Sequence, residues 1–182
     1  MFAKKLGIIE SKTQFLSTDG NHSAEFIQVN GEEWVSLKMH DVDSYETIRA
    51  DLFINTGSPH YITQRVNLYN FDLLNEAKAI RYNDRFAVDG VNVNFVMKVN
   101  DTVDIRTYER GVEDETLSCG TGVTAAVIAE YVRNEENRPD YARKVSTQGG
   151  DLAVSFNKTQ DGFEDIYLIG PAIQVFVGDI NI

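Results

Sequence analysis

The sequence predicts an α+β fold, mostly strands joined by tight turns with one inner helix, and three observations predict it. Residues 123–129, VTAAVIA, are small and apolar on every side, the composition of a helix enclosed by other elements. Period-two segments read as half-buried strands: Val35, Leu37 and Met39 point one way, and Trp34, Ser36 and Lys38 the other. Asp19-Gly20 and Asn30-Gly31 supply the turn chemistry that joins such strands into hairpins.

Taken in order, Phe2 to Ile9 read as the end of a helix, with Lys4 and Lys5 near its C-terminus and Gly7 as its stop. Phe15-Leu16, Ala24–Val29 and Trp34–Met39 follow as strands, and Asp41–Thr47, acidic and polar, reads as a link. Leu52-Phe53-Ile54 is a short buried strand that delivers Asn55-Thr56-Gly57-Ser58-Pro59-His60 to its end, where loops usually carry binding groups. The same six residues also make a good structural turn. Phe71–Tyr82 is an amphipathic helix with Leu73, Leu74, Ala77 and Ile80 on one face, and Glu76 and Lys78 outside. Val91–Val99 and Val103–Tyr108 read as strands, 111–116 as a loop and Asn137–Asp140 as a turn. Val145–Gly150, Leu152–Phe156, Ile166–Ile169 and Ile173–Val177 are the closing strands.

Composition sets outer limits. At 182 residues and 42% hydrophobic, the chain can pack one domain or two small ones. A net charge of −11 argues against nucleic acid or an anionic membrane as partner, since both require a basic face. No run approaches the ~20 apolar residues that span a bilayer, and the apolar part of MFAKKLGIIE is too short for a signal peptide. The single cysteine, Cys119, cannot form an internal disulfide, which fits a reducing, cytoplasmic setting. His22, near a turn, and His40, at a strand end, read as surface or capping residues. No second histidine or carboxylate is expected at ligand spacing around either, so neither a metal nor a cofactor is expected.

Cys119 immediately precedes the inner helix. Unpaired N–H groups and the helix dipole there favour a thiolate, which can bring a thiol from about 8.5 into the range ~3.5–7.5. Gly120 and Gly122 flank Thr121 and leave room for an anion to reach those N–H groups. The alternative is a cysteine that merely fills apolar space, and periodicity does not choose between them.

The neighbours of Cys119 carry a resemblance. Glu109-Arg110-Gly111, followed by Glu115-Thr116-Leu117-Ser118-Cys119-Gly120-Thr121-Gly122, resembles the second-half signature of diaminopimelate epimerase, a cofactor-independent racemase family. Asn55 to His60 and Gly90-Val91-Asn92-Val93-Asn94-Phe95 resemble its substrate loops, and Gly149-Gly150 and Gly170-Pro171-Ala172 are also in place. The resemblance implies strands wrapped around a central helix. It divides the chain into a complete second half, 41–172, and a remnant of the first half, 1–40 plus 173–182.

It also implies conversion of LL- to meso-diaminopimelate for lysine and peptidoglycan synthesis, with two cysteines acting on opposite faces of the α-carbon. Cys119 matches the second; no residue matches the first, whose glycine-rich turn is absent before Phe2, so the chain is expected to be truncated and inactive alone. By the same resemblance, Glu109 takes the substrate ammonium and adjusts thiol basicity, Arg110 binds the amino-acid head group, and His60 tunes the thiol. Asn92 binds substrate, and the N–H groups of Gly120 and Thr121 stabilise developing negative charge. Ser58 stands where the family usually has an asparagine, with a shorter reach. The loop 111–116 is one residue longer than the commonest version. A homodimer is expected. The other readings are a half-epimerase that binds an amino acid or dimerises without catalysis, a proline-racemase or phenazine-type isomerase, and a Cys-His hydrolase using His60.

Overall fold

The structure, a computed structural model, describes residues 1–180. A one-turn helix, α1 (Phe2–Lys5), ends at Gly7 in the left-handed region (φ 69°), as its sequence requires. Strands β1 (Lys12–Ser17), β2 (Gly20–Val29) and β3 (Glu32–Lys38) then form successive antiparallel hairpins. Asn30 and Gly31 both have positive φ, the conformation a two-residue hairpin loop selects.

β4 (Tyr45–Ile48), β5 (Asp51–Asn55), β6 (Pro59–Gln64), α2 (Leu73–Arg81), β7 (Asn92–Val99), β8 (Thr102–Glu109) and β9 (Asp114–Thr116) lead to the inner helix α3 (Gly120–Arg133). β10 (Asp140–Thr147), β11 (Gly150–Lys158) and β12 (Phe163–Pro171) close the chain. Among the described residues, twelve strands form one sheet, ordered β1-β2-β3-β12-β11-β10-β8-β7-β6-β5-β4, with β9 beside β8. Only the β6–β7 and β8–β10 pairs are parallel, so the fold is α+β and mostly antiparallel, as expected.

The sheet curls around α3, which touches β5, β6, β7, β8, β10, β11 and β12. Every residue of α3 from Gly122 to Tyr131 is buried, which explains why the helix is largely apolar and built mostly from small side chains; Glu130, the charged exception, accepts from Tyr141 and pairs with Lys98. Alanine and glycine let strands approach from several sides, while Val123, Val127 and Ile128 each contribute roughly 1.5–3 kcal/mol by burial. The opposite face of the sheet packs on α2 through a second core of Leu68, Leu73, Ala77, Phe86, Val93 and Phe95.

Four local expectations change. Leu74 is 38% exposed, since α2 rests on its Leu73–Ala77 side. Part of the 41–47 link pairs instead: Val42 bridges Phe163, and Tyr45 begins β4. The 111–116 loop contains β9, held to β8. Ile173–Val177 form no strand: they pair with no described strand, and Ile173, Val175, Phe176 and Val177 are 79–83% exposed. Of the segment 173–182 assigned above to the first unit, residues 181 and 182 lie outside the described residues.

Candidate active site at the start of the inner helix

Strand alternation places the polar groups. In β7, Val93 and Phe95 enter the α2 core, while Asn92, Asn94 and Val96 face α3. In β6, Tyr61 turns toward α2, while His60 and Ile62 turn toward α3. The parallel register sets His60 opposite Asn92 and Ile62 opposite Asn94, and β8 sets Thr107 opposite Asn94. A histidine, two asparagines and a threonine therefore meet at the end of α3 that begins at Cys119.

Thr107, Asn94 and His60 form one continuous chain of hydrogen bonds that runs on to Thr121 and Cys119. Thr107 Oγ1 donates to Asn94 Oδ1 at 3.0 Å, which leaves the Asn94 amide nitrogen to donate to Tyr61 O at 3.2 Å and to His60 Nδ1 at 3.0 Å. With Nδ1 accepting, Nε2 carries the ring proton and donates to Thr121 Oγ1 at 2.9 Å. The Thr121 hydroxyl then keeps its own hydrogen for Cys119 Sγ, 3.5 Å away. Burial, the largest cause, holds the His60 ring proton affinity down, to about 3, and the Arg110 charge lowers it further. His60 is a neutral donor, not an acid/base group titrating near neutrality.

Cys119 is the N-cap of α3, in extended conformation (φ −128°, ψ 110°), with no side-chain cap bond of its own. Its thiol titrates above the ordinary value, contrary to the expectation of a stabilised thiolate. Burial is the largest cause, and the Glu109 carboxylate adds to it. The Thr121 hydroxyl and the Gly122 and Thr121 N–H groups pull the other way without prevailing. The protonated thiol is thus the resting form, able to deliver a proton, and a ligand that neutralised Glu109 would ease its ionisation. Glu109 itself accepts from Thr116 Oγ1 at 2.9 Å.

A second cluster fixes the loop. Asn92 donates to Ser58 Oγ at 2.7 Å and to Pro59 O at 2.9 Å, and accepts from the Arg110 N–H at 2.9 Å. The exposed Arg110 guanidinium donates to Asp89 O at 2.8 Å. Its stem crosses Gly90, where a Cβ would come within 2.5 Å of Arg110 Cδ.

His60, Gly120, Thr121, Cys119 and Glu109 therefore converge on the first turn of α3, and Ser58, Asn92 and Arg110 adjoin them. Asn94, whose role the sequence left open, is the link that sets the His60 tautomer. Thr56 and Thr107 carry roles the sequence did not single out, and Gly122, read as room for an anion, also makes room for Asn94. Thr56 Oγ1 donates to Thr121 O at 2.9 Å, and a Cβ at Gly122 would meet Asn94 Oδ1 at 2.6 Å. Alternation from Asn92 to Asn94 was the available signal for the inner asparagine; the threonines carry none. The structure also corrects the reading of His22 and His40, which gather with Asp19 so that one ligand atom from each lies within 4.8 Å of the others.

The diaminopimelate epimerase family model matches residues 52–175. The diaminopimelate epimerase of Flavobacterium psychrophilum is 47% identical over 96% of this chain and 67% of its own length. Those of Aquifex aeolicus and Chlorobaculum tepidum are 33% and 38% identical over 99% and 100% of this chain, and 66% and 71% of theirs. The chain thus spans about two thirds of the length of these relatives.

Among solved structures, a Bacillus anthracis phenazine biosynthesis protein of the PhzF family superposes with a TM-score of 0.69 at 11% identity, over 93% of this chain and 69% of its own. A probable proline racemase from Agrobacterium radiobacter superposes at 0.68 and 16% identity, over 98% and 64%. At these identities they share the fold. The matched signature around Cys119, its place at the head of an enclosed helix and the identity to three curated relatives together assign the chain to the diaminopimelate epimerase family.

Proposed function

We propose that this chain carries one of the two acid/base groups of a diaminopimelate epimerase, Cys119, together with the seat for the substrate's amino-acid head group. The observation that carries this reading is the hydrogen-bond series from Asn94 through His60 and Thr121 to the Cys119 sulfur at the open start of α3. In the reaction, the α C–H bond breaks toward one face and a new C–H bond forms from the other. On its own face, Cys119 either receives the proton as a thiolate or delivers it as a thiol. The Gly120 and Thr121 N–H groups oppose the charge that develops on the substrate. Glu109 takes the ammonium, which neutralises the charge that otherwise hinders thiol ionisation, and Arg110, Ser58 and Asn92 border the head group.

The sequence holds one cysteine, so the opposite-face group of a two-thiol mechanism is not among these 182 residues, and the chain by itself leaves LL-diaminopimelate uninverted. Self-association belongs to the same reading. An apolar groove of about 450 Å³, lined by Ile9, Phe15, Phe26, Val35, Leu37 and Leu168, adjoins the exposed apolar segment that begins at Ile173, and a second copy is its proposed cover. Cytoplasmic location follows from the same biosynthetic role.

The test is protection of the thiol. Diaminopimelate at millimolar concentration should slow alkylation of Cys119 by iodoacetamide, and should do so less in Glu109→Gln. Unchanged alkylation overturns the binding seat. Meso product formed at an enzymatic rate in deuterated water overturns the need for a second group. Light scattering at several concentrations reads the dimer, and a monomer throughout overturns it.

A further inference from the structure

We propose that Asp19, His22 and His40 form a site for one divalent transition-metal ion of the zinc class, outside the catalytic cluster. Asp19 lies in the β1–β2 turn, His22 early in β2, and His40 just beyond β3, so hairpin pairing, not sequence spacing, assembles them. His22 Nε2 lies 3.0 Å from Asp19 Oδ1, and His40 Nε2 lies 3.4 Å from Asp19 Oδ2. Two ligands bound at about 2.0–2.1 Å to one ion stand about 3.0–3.4 Å apart, and one ligand atom from each of the three residues already lies within 4.8 Å of the others, so small side-chain rotations bring the set onto one ion.

The groups behind the ligands are also placed for a metal. His22 Nδ1 donates to the Lys38 carbonyl at 3.2 Å, which fixes the ring and turns Nε2 toward Asp19. An ion would take the place of the hydrogen that Nε2 shares with the Asp19 carboxylate at 3.0 Å. Phe15 stacks on the outer face of His22 (centroids 5.6 Å apart), and the two imidazoles meet edge to face at 5.1 Å. His40 is slotted between two glycines: Cβ atoms at Gly57 and Gly20 would lie 3.4 and 3.7 Å from its ring. Two imidazoles and one carboxylate suit zinc, iron, cobalt or nickel rather than magnesium or calcium, and three ligands leave a position open to water. Gly57 belongs to the loop that carries Ser58, so an ion here ties the β1–β2 turn to the segment beside the catalytic cluster.

The experiment titrates untagged, chelator-stripped protein with cobalt(II) followed by visible d–d absorption, and with zinc(II) by calorimetry. One equivalent is expected to bind. His22→Ala, His40→Ala and the exposed-turn variant Asp19→Asn each weaken binding by about tenfold or more, with far-UV dichroism unchanged. Cys119→Ser leaves the cobalt spectrum as it is. Absence of saturable binding, affinity indifferent to all three ligand substitutions, or a spectrum that depends on Cys119 overturns the site.

Discussion

His60 Nε2 donates to Thr121 Oγ1 at 2.9 Å, so a fully buried imidazole from β6 controls a hydroxyl in the first turn of α3, two residues beyond the thiol. The hydrogen bonds link the ring to Cys119 through Thr121. Because Asn94 donates to the other ring nitrogen, the Thr121 hydroxyl always has a hydrogen free for sulfur.

Thr121→Val therefore removes the hydrogen bond that most favours the thiolate, while nearly preserving volume. The pH midpoint for alkylation of Cys119 by iodoacetamide should move upward. Thr121→Ser should restore it. A midpoint that stays put in Thr121→Val means the hydroxyl does not act on the sulfur.

His60 makes folding stability depend on acid. Its folded proton affinity, about 3, lies below the ordinary 6.5, so between those values the unfolded chain binds the extra proton. This contribution is complete above 6.5 and is lost as pH falls toward 3, at about 1.4 kcal/mol per pH unit. Urea unfolding at pH 7 and pH 5 should show the loss in the native chain and a smaller one in His60→Gln. Proton NMR adds a direct check, since a ring that titrates near 6.5 would remove the premise.

Gly122→Ala should destabilise the fold by about 1–3 kcal/mol through overpacking. The added methyl would stand 2.6 Å from Asn94 Oδ1 and 3.3 Å from His60 Cε1, both held by buried bonds. Chemical denaturation measures the loss. A fall below a few tenths of a kcal/mol would mean that β6 and β7 can move away from α3.

Asn92→Ala should cost about 1–3 kcal/mol by leaving the Arg110 N–H, Ser58 Oγ and Pro59 O without their partner. Hydrogen exchange at the Arg110 amide should accelerate. Protection equal to that of the native chain would show that the loop is held by something else.

Much of this was legible along the chain. Hairpin turns at Asn30-Gly31, the alternation of β3 and β7 and the all-apolar run of α3 each depend on neighbours within a few residues, where periodicity and φ preference operate. The run from Glu109 to Gly122 likewise marked the candidate site before any fold was known. Three-dimensional packing decided the chemistry inside it. Whether Cys119 ionises easily depends on its burial and on Glu109, ten positions earlier, and whether His60 is charged depends on a desolvation that β7, β8 and α3 impose together. The same holds for Asp19, His22 and His40, which strand register alone brings to one point. Local sequence specifies which groups are present and which way each strand turns them, but solvent exclusion and long-range pairing set their protons.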